Sequence, residues 1–167
     1  MDQDAKKTAL RMIPYGLYVL TADDGNGNVA GATVNWVTQT AFDPPLVVVG
    51  VKADSGACQI VKKAQTFALN MLGKEHKGLA FTFFKPAQFA EGKLSGQAVH
   101  KGTTGAPILD AVPAAIECKV TSIVEQGDHH IVVGEVIEVH LPKPIQGRPD
   151  AAILEMKELG DNVFYGG

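Results

Sequence analysis

Cysteine is scarce in this chain. The two that occur, Cys58 and Cys118, are widely separated, which suits neither a secreted disulfide framework nor a zinc spacing. Both read as buried free thiols in a reducing compartment. No apolar run approaches the roughly 18 residues of a membrane helix, and the opening MDQDAKKTALRMIPYG mixes acids with bases where a signal peptide needs an unbroken apolar core. A cytoplasmic protein with no membrane partner is expected. Basic charge is not in excess: 15 Lys and Arg stand against 18 Asp and Glu, a net charge of −3, and no basic stripe is interleaved with aromatics. Nucleic acid is therefore excluded as the expected partner. The GxSxG elbow, HExxH and paired CxxC are all missing, so neither hydrolytic nucleophiles nor zinc chemistry find support and no metal site is expected.

What is present describes one folded domain over residues 1–167. The hydrophobic share of 46% and charged share of 20% are those of an ordinary globular chain, and 18 glycines with 9 prolines imply many turns between short elements. Ala9, Leu10, Met12 and Ile13 have the spacing of a short helix that Pro14 stops. Leu17–Thr21 and Val29–Val37 flank the turn-rich ADDGNGN and read as a β-hairpin. Leu46–Val51 is a continuous apolar run, expected to be a central strand buried on both faces.

Asp54 or Ser55 is placed to cap a helix through Val61, Phe67–Met71 reads as a strand, and Glu75–Phe84 as a helix ending before Pro86. From Lys85 to Pro107 little periodicity is visible, and a functional flap is expected there. Ala114–Glu125 and His129–His140 are two long strands joined by Gln126-Gly127-Asp128, and Ala151–Tyr165 is expected to add a strand or a short helix. The sum is a mainly β fold with capping helices, an antiparallel closed or split β-barrel.

Two apparent motifs fail on context. Gly25-Asn26-Gly27-Asn28-Val29-Ala30 spells a dinucleotide fingerprint, yet a strand-like segment follows where a helix N-terminus is required, so a hairpin turn is the better reading. The same stretch begins like a calcium loop, but Val29 and Asn35 stand where Gly and a bidentate Glu are needed. His129 and His130 are adjacent on a strand, face opposite ways and cannot chelate one ion. On spacing alone each is most simply a surface residue.

The informative stretch is Ala32–Pro45, where Thr33, Asn35, Thr38 and Gln39 crowd a segment that ends at a double proline. It reads either as an ordinary polar edge strand or as a wall for a planar, polar-edged ligand. Lys52, Ser55 and a helix start follow the next strand, a combination that suits a phosphate.

Five blocks in order, Tyr15–Thr21, Gly31–Pro45, Phe67–Leu72, Gly105–Leu109 and Gly127–Val136, resemble the flavin reductase-like, FMN-binding split-barrel family, with the WVTQTAFDPP segment most similar to its ferric reductase and flavoredoxin-like members. Residues 141–167 form an extension without a matching block. The resemblance implies a Greek-key-like split β-barrel holding FMN, or FAD in some members, at a homodimer interface. It further implies hydride transfer from NADH or NADPH to the flavin and on to a flavin, ferric or protein acceptor. It places the isoalloxazine against Thr33, Val34, Asn35 and Trp36, the ribityl chain along Gly50 and Val51, and the phosphate near Lys52, Ser55 and Cys58. His129 is implied as the catalytic residue facing the nicotinamide or the flavin edge. Trp36 and Ala41 stand where many relatives carry Ser or Ala, and Ser, respectively. The competing reading is an FMN electron carrier of flavoredoxin type, reduced by a protein partner and lacking a nicotinamide site.

Overall fold

The structure, a computed structural model, describes residues 1–167. Asp2 caps α1 (Gln3–Arg11) by accepting the Ala5 N–H at 2.8 Å, and the helix buries none of its residues. Two antiparallel pairs follow, β1 (Tyr18–Asp23) with β2 (Val29–Val34) and β3 (Val37–Ala41) with β4 (Leu46–Lys52). Next come α2 (Gly56–Ala64), β5 (Thr66–Met71) and α3 (Lys77–Thr82), and then four short strands, β6 (Phe89–Ala90), β7 (Lys93–Leu94), β8 (Gln97–Lys101) and β9 (Pro107–Leu109). The long pair β10 (Ala114–Val124) and β11 (His129–His140) precedes α4 (Pro149–Ala152) and a 3-10 turn at Met156–Leu159.

The turn between β1 and β2 explains the false motif. Gly25 and Gly27 take φ of 76° and 90°, and Asp24 accepts hydrogen bonds from the Asn26 and Asn28 backbones and from the Asn28 amide. Short polar side chains and positive φ make a hairpin here rather than a phosphate loop.

Strand order shows how the sheet closes. The seven main strands run β2-β1-β5-β10-β11-β4-β3, every neighbouring pair antiparallel. β2 and β3 therefore occupy opposite edges, although only Asn35 and Trp36 separate them in the chain. A flat sheet of this order would hold its edges roughly 29 Å apart. The link reaches only about 10 Å. The sheet must curl until its edges meet, and because β2 and β3 do not pair with each other, the barrel is left split along a seam at Asn35-Trp36.

Two apolar clusters fill the space on either side of this curled sheet. Leu20, Val34, Val49, Val51, Phe67, Leu69, Cys118 and Val132 pack inside with Cys58 and Val61 of α2, which plugs the barrel. Gly134 makes room for Phe67: a Cβ there would stand 2.6 Å from its ring. Leu17, Val19, Ala68, Phe83, Leu94, Ile108, Leu109 and Met156 form the second cluster on the outer face. β1, β5 and the first half of β10 contribute to both clusters, so the sheet is buried on two faces there.

Two expectations are corrected. β4 lies one place from an edge, burying Val47, Val49 and Val51 while Leu46, Val48 and Gly50 stay partly open, so its apolar run does not mark the centre of the sheet. The segment from Lys85 to Pro107 is not a structureless flap: β6 to β9 form a second, four-stranded sheet whose Leu94, Ile108 and Leu109 cover the outer cluster. Its strands are too short for periodicity to register. The chain beyond His140 gives the short α4, the 3-10 turn and bridges at Gly16–Glu155 and Gly73–Ile153, in keeping with the strand or short helix expected there. No helix is long and apolar enough to cross a membrane.

Candidate flavin site

A groove of about 380 Å³ opens at the seam, at the low end of the roughly 300–1,000 Å³ of small-molecule sites. Its walls come from Ala32, Thr33, Val34 and Asn35 on one edge, Gly50, Val51 and Lys52 at the end of β4, and Ser55 before α2. Phe83 and Phe84 after α3, His129 at the start of β11, Leu17, Met156 and Tyr165 complete it. The edge of β2 is held by α3, since Thr33 donates its N–H to the Phe83 carbonyl at 2.9 Å and its hydroxyl to Ala80 at 2.8 Å. Across the seam, the Gly50 N–H donates to the Trp36 carbonyl at 2.8 Å. A side chain at Gly50 would meet Trp36 at 3.2 Å, so the absent Cβ lets the indole lie over β4. His129 pairs with Lys52 in the register of β11 and β4, and this brings the imidazole and the ammonium to the same end of the groove.

Ser55 caps α2, accepting the Cys58 N–H at 3.1 Å while donating its hydroxyl to the Lys52 carbonyl at 2.7 Å. The first amides of a helix have no intrahelical acceptor and carry partial positive charge, so with Lys52 they suit an anion. The Cys58 side chain does not reach this place. It is fully buried in the barrel, with its sulfur 3.8 Å from His130 Nδ1, and burial raises its thiol pKa. Only its backbone, through the Ser55 cap, belongs to the helix terminus, which corrects the expected contact.

His129 and His130 face opposite ways, as adjacent strand residues must, and His129 is the one on the groove. Its Nδ1 lies 2.9 Å from Asp128 Oδ1. A carboxylate only accepts, so Nδ1 carries a proton, and Nε2 lies 2.6 Å from the Tyr165 hydroxyl. The hydrogen bond to His129, followed by its charge, holds Asp128 below the usual carboxylate range. Burial pushes the Tyr165 phenol up. Trp36 stands behind the groove rather than among its lining residues, its ring centroid 4.5 Å from His129 and 5.4 Å from Tyr165. Its Nε1 is buried without a hydrogen-bond partner.

The groove thus unites Thr33, Val34, Asn35, Gly50, Val51, Lys52, Ser55 and His129, with Trp36 behind them and Cys58 in the core. Sequence reasoning missed Tyr165, Met156 and the Phe83-Phe84 pair. The aromatic end of the Glu75–Phe84 helix is the one signal that could have raised the last two. No three His, Cys, Asp or Glu side chains converge as a metal site.

The model of the flavin reductase like domain matches residues 10–155. The chain belongs to this family. It is 32% identical over 141 residues to a flavin reductase of Pseudomonas putida, covering 84% of this chain and 81% of that protein. It is also 32% identical over 136 residues to an NADH:FMN oxidoreductase of Rhodococcus erythropolis, covering 80% and 68%. The solved NADH:FAD oxidoreductase SgcE6 of Streptomyces globisporus aligns over 77% of this chain and 76% of its own with a TM-score of 0.68 and 30% identity. Some relatives are longer: the chain spans 42% and 57% of two from Rhizobium meliloti. The segment carrying Tyr165 lies beyond the matched residues.

Proposed function

We propose that the protein is an NAD(P)H-dependent flavin reductase that binds FMN in the seam groove. The observation that carries this reading is the convergence, at the split of the barrel, of polar edge groups, an anion-suited helix terminus with Lys52, and His129. The unpartnered Trp36 Nε1 adds a donor that a flavin carbonyl could satisfy. When bound, the flavin supplies the redox chemistry, accepting a hydride from the nicotinamide.

The chain's own residues bind and orient. Thr33, Val34 and Asn35 line the side assigned to the isoalloxazine, Gly50 and Val51 the side assigned to the ribityl chain, and Lys52 with the α2 terminus holds the phosphate. His129, oriented by Asp128 through Nδ1, aligns the nicotinamide carboxamide through Nε2. The same residues would serve an electron carrier, and the names of the relatives favour the reductase.

A second copy of the chain is part of the proposal, since Ile131, Ile137 and Val139 on β11 and the partly open Leu46 and Val48 on β4 present apolar surface around the half-barrel. Anaerobic stopped-flow mixing of the FMN-loaded protein with NADH and with NADPH tests the reading. Rapid bleaching of the flavin by either nucleotide is expected; reduction by dithionite or a ferredoxin-like donor alone overturns it in favour of the carrier.

A further inference from the structure

The polar groups assigned to the ligand are already engaged by the protein itself. After Gly160, whose φ is 149°, the chain forms no strand or helix and returns across the groove. Asn35, 4% exposed, donates its amide to the Tyr165 carbonyl at 3.0 Å, while the Tyr165 hydroxyl takes His129 Nε2 at 2.6 Å. The Tyr165 ring lies against Trp36. The segment is strapped from outside by Arg11, whose guanidinium stands 4.1 Å from the Phe164 ring centroid and whose Nε donates to the Gly166 carbonyl at 3.2 Å.

We infer that Tyr165 is a displaceable stand-in for the flavin, so that docking of residues 164–167 and binding of the isoalloxazine exclude one another. This rests on the flavin reading of the groove. Three observations make the segment displaceable. It is held by side-chain contacts rather than by strand pairing, and Phe164 and Tyr165 remain 50% and 42% exposed even when docked. Its docked position also covers the seam while leaving the Trp36 Nε1 without an acceptor, a hydrogen bond that departure of the segment or arrival of a flavin carbonyl restores. The functional consequence is exchange: a reductase that hands on reduced flavin must release it, and a tethered aromatic ring competing for the same place keeps flavin a substrate rather than a fixed prosthetic group.

A segment docked in about nine molecules of ten weakens the apparent flavin affinity about tenfold. Titration of wild type, Tyr165→Ala and Arg11→Ala with FMN, followed by flavin fluorescence, tests this. Arg11→Ala loosens the strap without touching the groove. Both variants are expected to bind FMN about tenfold more tightly, through faster association, because more of the free protein is open. Amide hydrogen exchange of residues 161–167 in the wild type is expected to rise when FMN is added. Equal or weaker FMN affinity in both variants, or protection of the segment by FMN, overturns the inference while leaving the groove a flavin site. Failure of all three proteins to bind FMN overturns both.

Discussion

Each end of β11 carries a histidine beside a carboxylate, yet the two pairs live in opposite surroundings. At the far end, His140 Nε2 meets Glu117 Oε2 at 2.7 Å, and the Glu117 side chain is fully buried. The same carboxylate accepts the N–H groups of Thr103 and Thr104 and the Thr104 hydroxyl at 2.6 to 3.0 Å. A Cβ at Gly102 would collide with it. At the near end, Asp128 is 92% exposed and makes one side-chain contact, to His129, whose other nitrogen points into the groove. A carboxylate surrounded by donors pins a loop; one standing in solvent with a single imidazole orients that imidazole and little else.

The largest effect is expected where the pair is buried. Glu117→Ala leaves three loop donors and His140 without their acceptor and should cost about 3 kcal/mol, read from urea denaturation. Desolvation alone would raise the Glu117 pKa, but the hydrogen bonds from Thr104 and His140 outweigh it and the net shift is downward. A carboxyl held below its unfolded value stabilises the fold above that value, near 4.5, and the contribution disappears as pH falls through the lower, folded pKa. Acid unfolding midpoints should therefore separate wild type from Glu117→Gln least at the lowest pH and most above 4.5. Equal separation throughout would remove titration of Glu117 from the account.

His129→Ala should invert this pattern. Flavin reduction by NADH is expected to slow by about ten- to a hundredfold from lost alignment, with FMN still bound and the urea midpoint nearly unchanged. An unaltered rate would take His129 out of the reaction. Asp128→Asn should have the smallest effect, a slowing well below that of His129→Ala and no change in stability, because the amide can still accept from Nδ1 without fixing the tautomer as firmly. A drop as large as that of His129→Ala would mean that the carboxylate charge itself acts.

The same contrast marks what was legible beforehand. The turn and strand start at Gly127-Asp128-His129 are written locally, as are the Ser55 cap and the hairpin at Asp24, but spacing alone left His129 a surface residue and Thr33, Val34 and Asn35 divided between an ordinary edge and a ligand wall, and only the family resemblance gave them a role. Glu117 carried no signal, since its donors come from a loop that meets β10 only in three dimensions. The rank of β4 was misread for a related reason: an apolar run reports burial but not strand order, which depends on pairings with β11 and β3. Tyr165 was missed because a tyrosine in an unpatterned segment has no period to reveal where it docks. Cys58 had the right neighbour and the wrong side, a matter of helix phase: the residue whose N–H is capped points its side chain into the barrel.

Trp36 is the chain's only tryptophan, and it sits on the link between the two edges of the sheet. Although Val34 and Val37 are near neighbours in sequence, the hydrogen-bonded path from β2 round to β3 runs through β10 and β11, from much later in the chain, which stand between β5 and β4. Intrinsic emission during refolding therefore reports closure of the seam rather than average collapse. The groove should be the last part of the barrel to acquire its shape, so that a nascent or partly unfolded chain with native-like hairpins is already blind to flavin.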